Sequence, residues 1–270
     1  MVGESGRAQR TVVVTGCSSG IGAAACARLL AADVRVIGLD IREPDGGEHE
    51  FVPVDIADVA SVERAAESLP DRVDALINAA GVSSGIGDPS RVVAINILGL
   101  RQLTELLVPR MAGEGYIVNA SSLAAAGWRE HRDMARDFLA ITDREKAMQW
   151  CLDHPDDVGA GYSFSKETVV VYTASRAFDL ATRGIRINAT APGVTETPIL
   201  DDSIARLGAE YLDTIPKPLG RLATADEQAR VMVFLAGDGA SYISGQTVWV
   251  DGGYTAAVDA GEIETFGLNR

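Results

Sequence analysis

Cysteine and histidine are scarce in this chain, basic residues are outnumbered, and long apolar runs are missing. Cysteine occurs three times, at Cys17, Cys26 and Cys151, and this odd, wide spacing fits neither a disulfide framework nor a metal-ligand pattern. Reduced thiols acting as small buried apolar groups are expected. The three histidines, His49, His131 and His154, are also scattered, which predicts surface positions and no metal site. Lys and Arg number 24 against 38 Asp and Glu, and the net charge of -14 repels phosphate backbones and anionic membrane surfaces. No nucleic acid and no membrane are expected as partners. No apolar run approaches the roughly 20 residues of a membrane span. The polar first ten residues lack the apolar core of a secretory signal, so a cytoplasmic location is expected.

What is plentiful is apolar residues, 47% of the chain, and glycine, 28 of 270 residues. That composition excludes a disordered or collagen-like chain. Short, mostly β-branched runs at residues 11–15, 35–39, 51–54, 75–78, 116–120, 186–190 and 247–250 read as buried strands. Helical spacing fills the intervals at 23–32, 61–69, 92–111, 164–182 and 225–235. The alternation, with no repeat or low-complexity linker, predicts an α/β fold, a Rossmann-type doubly wound parallel sheet of about seven strands. Residues 1–270 are expected to form a single domain. Two stretches break the pattern: 123–161, carrying Trp128, Met134, Phe138, Met148 and Trp150, and 198–221. Segments this long inside a domain are usually lids or hold helices of their own.

Gly16, Ser18, Ser19, Gly20 and Ile21 sit where the first strand turns into the first helix. Glycine there permits a tight turn and close backbone approach, and the helix start offers amides to a pyrophosphate. Asp40 ends the second strand, where a carboxylate accepts hydrogen bonds from ribose hydroxyls and repels a 2′-phosphate. NAD is therefore expected as the cofactor in preference to NADP. Tyr162 and Lys166 are four residues apart on a helical stretch and so share a face. A nearby cation favours phenolate and makes tyrosine a usable general base. Ser121 and Ser122 follow the fifth strand, at the sheet edge where ligands of such folds bind.

Together these motifs resemble the short-chain dehydrogenase/reductase family. The likeness is carried by Thr15 to Gly22, Asp55-Ile56, Asn78 to Gly81, Asn96, Ser122, Tyr162 to Lys166, Pro192 to Pro198 and Asp251 to Gly253. It implies that Tyr162 is the general acid/base, Lys166 tunes it and binds the nicotinamide ribose, and Ser122 polarises the reacting oxygen. Asn96 would hold a water linking Lys166 to solvent. Asp55 and Ile56 would border the adenine beside Asp40 and Ile41. Asn78, Ala79 and Gly81 would line the adenosine ribose and support the central strand, and Pro192, Val194 and Thr197 would surround the carboxamide.

Forty residues separate Ser122 from Tyr162, where most members of the family have about a dozen. The insertion, about 123–161, resembles the subgroup of coniferyl-alcohol dehydrogenases and 3α-hydroxysteroid dehydrogenase/carbonyl reductases. Its Trp and Met residues either wall the substrate cleft or form a small core or oligomer contact. The 198–221 stretch resembles a substrate lid, and Trp128, Ile199, Leu200 and Ile204 are candidate substrate residues, with Leu207, Tyr211 and Leu212 continuing the lid. The expected activity is interconversion of a secondary or benzylic/allylic alcohol, aromatic or alicyclic, with its carbonyl compound. A carbonyl reductase and a non-catalytic NAD-binding sensor are the alternatives. A homo-oligomer, dimer or tetramer, is expected.

Overall fold

Strand-forming runs that enter glycine turns place their backbone in the centre of the molecule, where the ladder satisfies every peptide group. The computed structural model describes residues 9–46, 49–111, 113, 115–208, 210 and 217–263. Tyr211, Leu212 and the first eight residues lie outside that set. The strands are β1 (Thr11–Thr15), β2 (Arg35–Asp40), β3 (Glu50–Pro53), β4 (Ala75–Asn78), β5 (Gly115–Ala120), β6 (Ile185–Pro192) and, last in the sheet, Thr247–Val250. They form one seven-stranded sheet in the order β3-β2-β1-β4-β5-β6 and Thr247–Val250, with every pairing parallel. The order reverses between β1 and β4, which opens a crevice at their carboxyl ends.

Helices α1 (Gly20–Ala31) and α2 (Val59–Ser68) cross over between the first strands. The expected helix at 92–111 starts earlier, as α3 (Pro89–Val93), because Asp88 caps it and Pro89 suits a first turn. It then opens into a π turn at Ala94–Gly99 before α4 (Leu100–Leu107). Gly99 explains the close fit there, since a Cβ would lie 2.0 Å from the Ile56 carbonyl oxygen. The run Pro89–Arg110 is, against expectation, long and apolar enough to cross a membrane, but 67% of its most apolar window is buried. It is a core helix of the sheet's flank.

The insertion folds as α5 (Arg132–Ala140), α6 (Arg144–Asp153) and α7 (Pro155–Val158), ahead of the long α8 (Tyr162–Ala181). Phe138 is fully buried, with its ring 5.3 Å from Trp150 and 5.1 Å from Phe164. Met134, Met148 and Trp150 pack against the same core. These four therefore extend the core on one face of the sheet instead of forming a separate small core within the insertion. Trp128 is outside that core, half-buried, with the Arg129 guanidinium 5.0 Å over its ring.

Beyond the sheet, β7 (Thr195–Glu196) pairs with β8 (Ala223–Thr224), which brings together the chain on either side of the 198–221 stretch. Within it, α9 (Pro198–Leu207) is helical. Helix α10 (Ala225–Leu235) and α11 (Tyr254–Asp259) complete the described elements.

The three cysteines are buried, and burial pushes Cys17 up to about 11 and Cys26 and Cys151 up to about 12. None of the three histidines is the plain surface residue expected. His131 bonds both carboxylate oxygens of the buried Glu167 at 3.0 Å, and His154 stacks on Trp150 at 4.1 Å. His49 lies against Gly38 with both ring nitrogens buried, and desolvation lowers its pKa.

Candidate active site

A cavity of about 320 Å³ opens at the β1/β4 reversal. Its floor is glycine by necessity. Gly16 has φ +73° and a Cβ there would lie 2.8 Å from the Ala80 nitrogen, while one on Gly22 would lie 2.1 Å from the Gly16 carbonyl oxygen. Ser19 precedes α1 without capping it, and the first turn holds no acid. The leading amides and positive end of the helix dipole are therefore left for an anion.

Gly16, Ser19, Gly20, Ile21, Asp40, Ile41, Asp55, Ile56, Ala79, Gly81 and Thr197 all line this cavity, as does Ile199. Asp40 stands at its rim. One carboxylate oxygen accepts from the amides of Ile41 at 2.7 Å and Arg42 at 3.3 Å, and the other from the Ser18 amide at 3.1 Å. Ser18 itself ties the loops together, its hydroxyl donating to the Arg42 carbonyl, and does not line the cavity.

Asn78 belongs to the central strand. Its side chain is buried in the sheet, donating to Thr104 at 3.0 Å and Asn119 at 2.9 Å, because two neighbouring polar side chains offer acceptors where the cleft offers solvent. Pro192 is buried in the pairing of β6 with the last strand, and Val194 borders a separate cavity of about 480 Å³. Sequence reasoning missed Arg91, which lines the cavity at the β1/β4 reversal and pairs with Asp55 at 3.2 Å. A lone cation in a helical run gave no signal of this.

The four residues expected to react lie at the end of β5, on α8 and in the π turn. Lys166 is buried on α8 and its ammonium donates to the Ala120 carbonyl at 2.9 Å. Nζ stands 5.7 Å from the centre of the Tyr162 ring, as spacing on one helix face predicts. Burial lowers the Lys166 pKa to about 8. Ser122 lies at the end of β5, half-buried, accepting from the Ala124 amide at 3.1 Å. Ser121 is buried and donates to the Lys166 carbonyl at 2.8 Å.

Asn96 sits in the π turn, its Oδ1 accepting from the Val82 amide at 2.9 Å and its Nδ2 donating to Ser165 at 3.2 Å. Both Asn96 Oδ1 and Lys166 Nζ press on Gly81, at 3.2 and 3.3 Å from the place of a Cβ. Among the described residues, no group of three or more His, Cys, Asp or Glu side chains is arranged to hold a metal ion.

Known proteins share this arrangement. A family profile described as short chain dehydrogenase matches residues 10–132, and one described as enoyl-(acyl carrier protein) reductase matches 156–255. Most of the insertion falls in the interval between them. A coniferyl-alcohol dehydrogenase of Pseudomonas sp. strain HR199 is 34% identical, over 90% of this chain and 96% of its own. A 3-alpha-hydroxysteroid dehydrogenase/carbonyl reductase of Comamonas testosteroni is 30% identical, over 92% of this chain and 97% of its own. The crystal structure of the 3-alpha-hydroxysteroid dehydrogenase from Pseudomonas sp. B-0831, complexed with NADH, superposes with a TM-score of 0.81 at 31% identity. It covers 95% of this chain and 100% of that one. With its parallel sheet, glycine cradle and Ser-Tyr-Lys cluster, the chain belongs to the short-chain dehydrogenase/reductase family.

Proposed function

We propose that this protein is an NAD-dependent oxidoreductase that interconverts a secondary or benzylic/allylic alcohol and its carbonyl compound, with Tyr162 as general acid/base. The observation that carries the reading is the buried Lys166 ammonium, fixed on the Ala120 carbonyl and standing 5.7 Å over the Tyr162 ring, beside the glycine-floored cavity. The cavity fits the cofactor. Gly16 and Gly22 let the loop backbone pack tightly on Ala80 and on itself, the uncapped α1 terminus lines the cavity, and Asp40 stands at its rim, where a ribose would lie. When bound, NAD supplies the hydride acceptor, and NADH the donor.

In the oxidative direction the Tyr162 phenolate takes the alcohol proton while the carbinol C–H bond breaks and the C=O bond forms. Ser122 donates to the oxygen whose charge changes, which lowers the barrier. Lys166 keeps the phenolate favourable and carries the proton onward. Asn96, locked by Val82 and Ser165, is the residue we assign to hold a water on that path, supported by its approach to Gly81 alongside Lys166. Run backwards, the same atoms make a carbonyl reductase, a reading favoured by the double name of the Comamonas relative.

The substrate we propose is aromatic or alicyclic, in keeping with the coniferyl-alcohol and hydroxysteroid enzymes that resemble this chain. Ile199, Leu200 and Ile204 on α9 and Trp128 at the start of the insertion are the residues proposed to meet it. A cytoplasmic homo-oligomer belongs to the same proposal, supported by the 85% exposure of Phe178 on α8. The decisive experiment follows NADH absorbance with NAD and a panel of coniferyl alcohol, a 3-hydroxysteroid and 1-phenylethanol. Turnover that vanishes in Tyr162→Phe while NADH still binds supports the mechanism; retained turnover rejects it.

A further inference from the structure

Arg144 is in an unfavourable place for a cation, the first residue of α6, next to the positive end of the helix dipole. Its guanidinium turns away from the insertion and into the body of the fold. Nη2 donates to the Ala57 carbonyl at 2.6 Å and reaches the Ala94 carbonyl at 3.4 Å. Nη1 is buried with no hydrogen-bond partner among the described residues. Burial lowers the pKa of the group, while the charges of Asp58 and Asp55 hold it up. A half-satisfied buried guanidinium is a poor device for stability alone.

Both of its carbonyl partners belong to the machinery. Ala57 directly follows Asp55 and Ile56, which line the cavity at the β1/β4 reversal. Ala94 opens the π turn that carries Asn96. The two segments already touch, for Gly99 at the end of the π turn lies against the Ile56 carbonyl with no room for a Cβ. Departure from α-helical pairing in a π turn disturbs backbone partners, and Arg144 supplies a donor at that point. The junction is braced from the other side by Arg101 of α4, whose Nη1 donates to the Ile141 carbonyl of the α5–α6 turn at 3.0 Å.

Resting on the NAD reading above, we infer that Arg144, contributed by the insertion, is a positioning residue for the cofactor: it fixes the Asp55–Ile56–Ala57 loop, the adenosine end of the cavity, against the π turn bearing Asn96. The insertion thus tunes cofactor affinity from behind the binding loop, without touching the dinucleotide.

The test uses the full-length protein and two variants, Arg144→Met, which keeps the stem and removes the donors, and Arg144→Lys, which keeps the charge with one compact head. Affinity is measured for NADH and for reduced nicotinamide mononucleotide, which lacks the adenosine half. A hydrogen bond to a charged group is worth enough to change affinity by about tenfold. Arg144→Met is expected to weaken NADH binding and raise the KM for NAD by about that factor, with kcat much less changed and mononucleotide binding unaltered. Arg144→Lys is expected to fall between it and the wild type, and serves on its own should the methionine variant not fold. NADH affinity within twofold of wild type in the folded variants, or equal losses for NADH and the mononucleotide, overturns the inference. Failure of the wild-type protein to bind NADH sinks the cofactor reading itself, and the inference with it.

Discussion

The Ser121 hydroxyl donates to the Lys166 carbonyl at 2.8 Å, so the first serine of the pair fastens the end of β5 to α8. Ser122 accepts from the Ala124 amide at 3.1 Å, which leaves its hydroxyl proton available to donate, as the proposed mechanism requires. Ser122→Ala is expected to lower kcat/KM by about 10²- to 10³-fold, the range for losing one oxyanion donor. Ser121→Ala is expected to cost about 1 kcal/mol of stability, the net worth of a hydrogen bond, with kcat nearly unchanged. Steady-state kinetics on both variants decides the matter, and the opposite ranking reassigns the catalytic hydroxyl.

Lys166 is expected to give the proposed reaction a pH dependence. Burial lowers its pKa from 10.5 to about 8, so the ammonium loses its proton as pH rises through about 8. Carbonyl reduction consumes a proton drawn from the Tyr162–Lys166 pair; its kcat/KM is expected to fall as pH rises through that value, while alcohol oxidation climbs. The folded pKa is below the unfolded one, so between about 8 and 10.5 the unfolded chain holds more protons. This group therefore adds stability as pH rises across that window. A reduction profile that stays flat from about pH 7 to pH 9 contradicts the assignment.

Asp40 sets the choice of dinucleotide. Three backbone amides hold its carboxylate at the cavity rim, where a 2′-phosphate meets a fixed like charge. The wild-type protein is expected to favour NAD, and Asp40→Ser to move the NAD to NADP efficiency ratio toward NADP by about 10- to 100-fold, equivalent to about 1.4 to 2.8 kcal/mol. A wild-type preference for NADP would count against the reading outright.

The insertion's aromatic cluster makes a stability prediction. Phe138 is fully buried between Trp150 and Phe164, and Phe164 is two residues from Tyr162. Phe138→Ala is expected to cost about 3–5 kcal/mol in urea unfolding and to reduce kcat by loosening the start of α8. Trp128→Ala, on a half-buried residue outside that core, is expected to leave unfolding unchanged and raise KM for bulky alcohols. A stable Phe138→Ala protein with normal kcat would detach the insertion from the catalytic helix.

The seven parallel strands were readable as short apolar runs, fully so for the buried central strands and less so for the part-buried edge strands Glu50–Pro53 and Thr247–Val250. The Tyr162 and Lys166 pairing was readable because helical spacing alone puts residues four apart on one face. The start of α3 was readable too, in the sequence Asp88-Pro89, but apolar periodicity drew the expected boundary three residues later. The π turn was not, since it answers to the Ile56 backbone pressing on Gly99, a contact between segments more than forty residues apart.

What the sequence determined by itself was local and periodic: strand and helix alternation, the glycine loop, the carboxylate ending the second strand, and the tyrosine–lysine face. Tertiary structure alone decided which groups share an environment. It turned Asn78 inward to Thr104 and Asn119, tied Ser121 to the Lys166 carbonyl, packed Trp150 and Met148 on the sheet core, and sent Arg144 across to Ala57. Each outcome is set by where a buried polar group finds its partner or an apolar one escapes water. Those partners are distant in sequence, and only the folded chain brings them within reach.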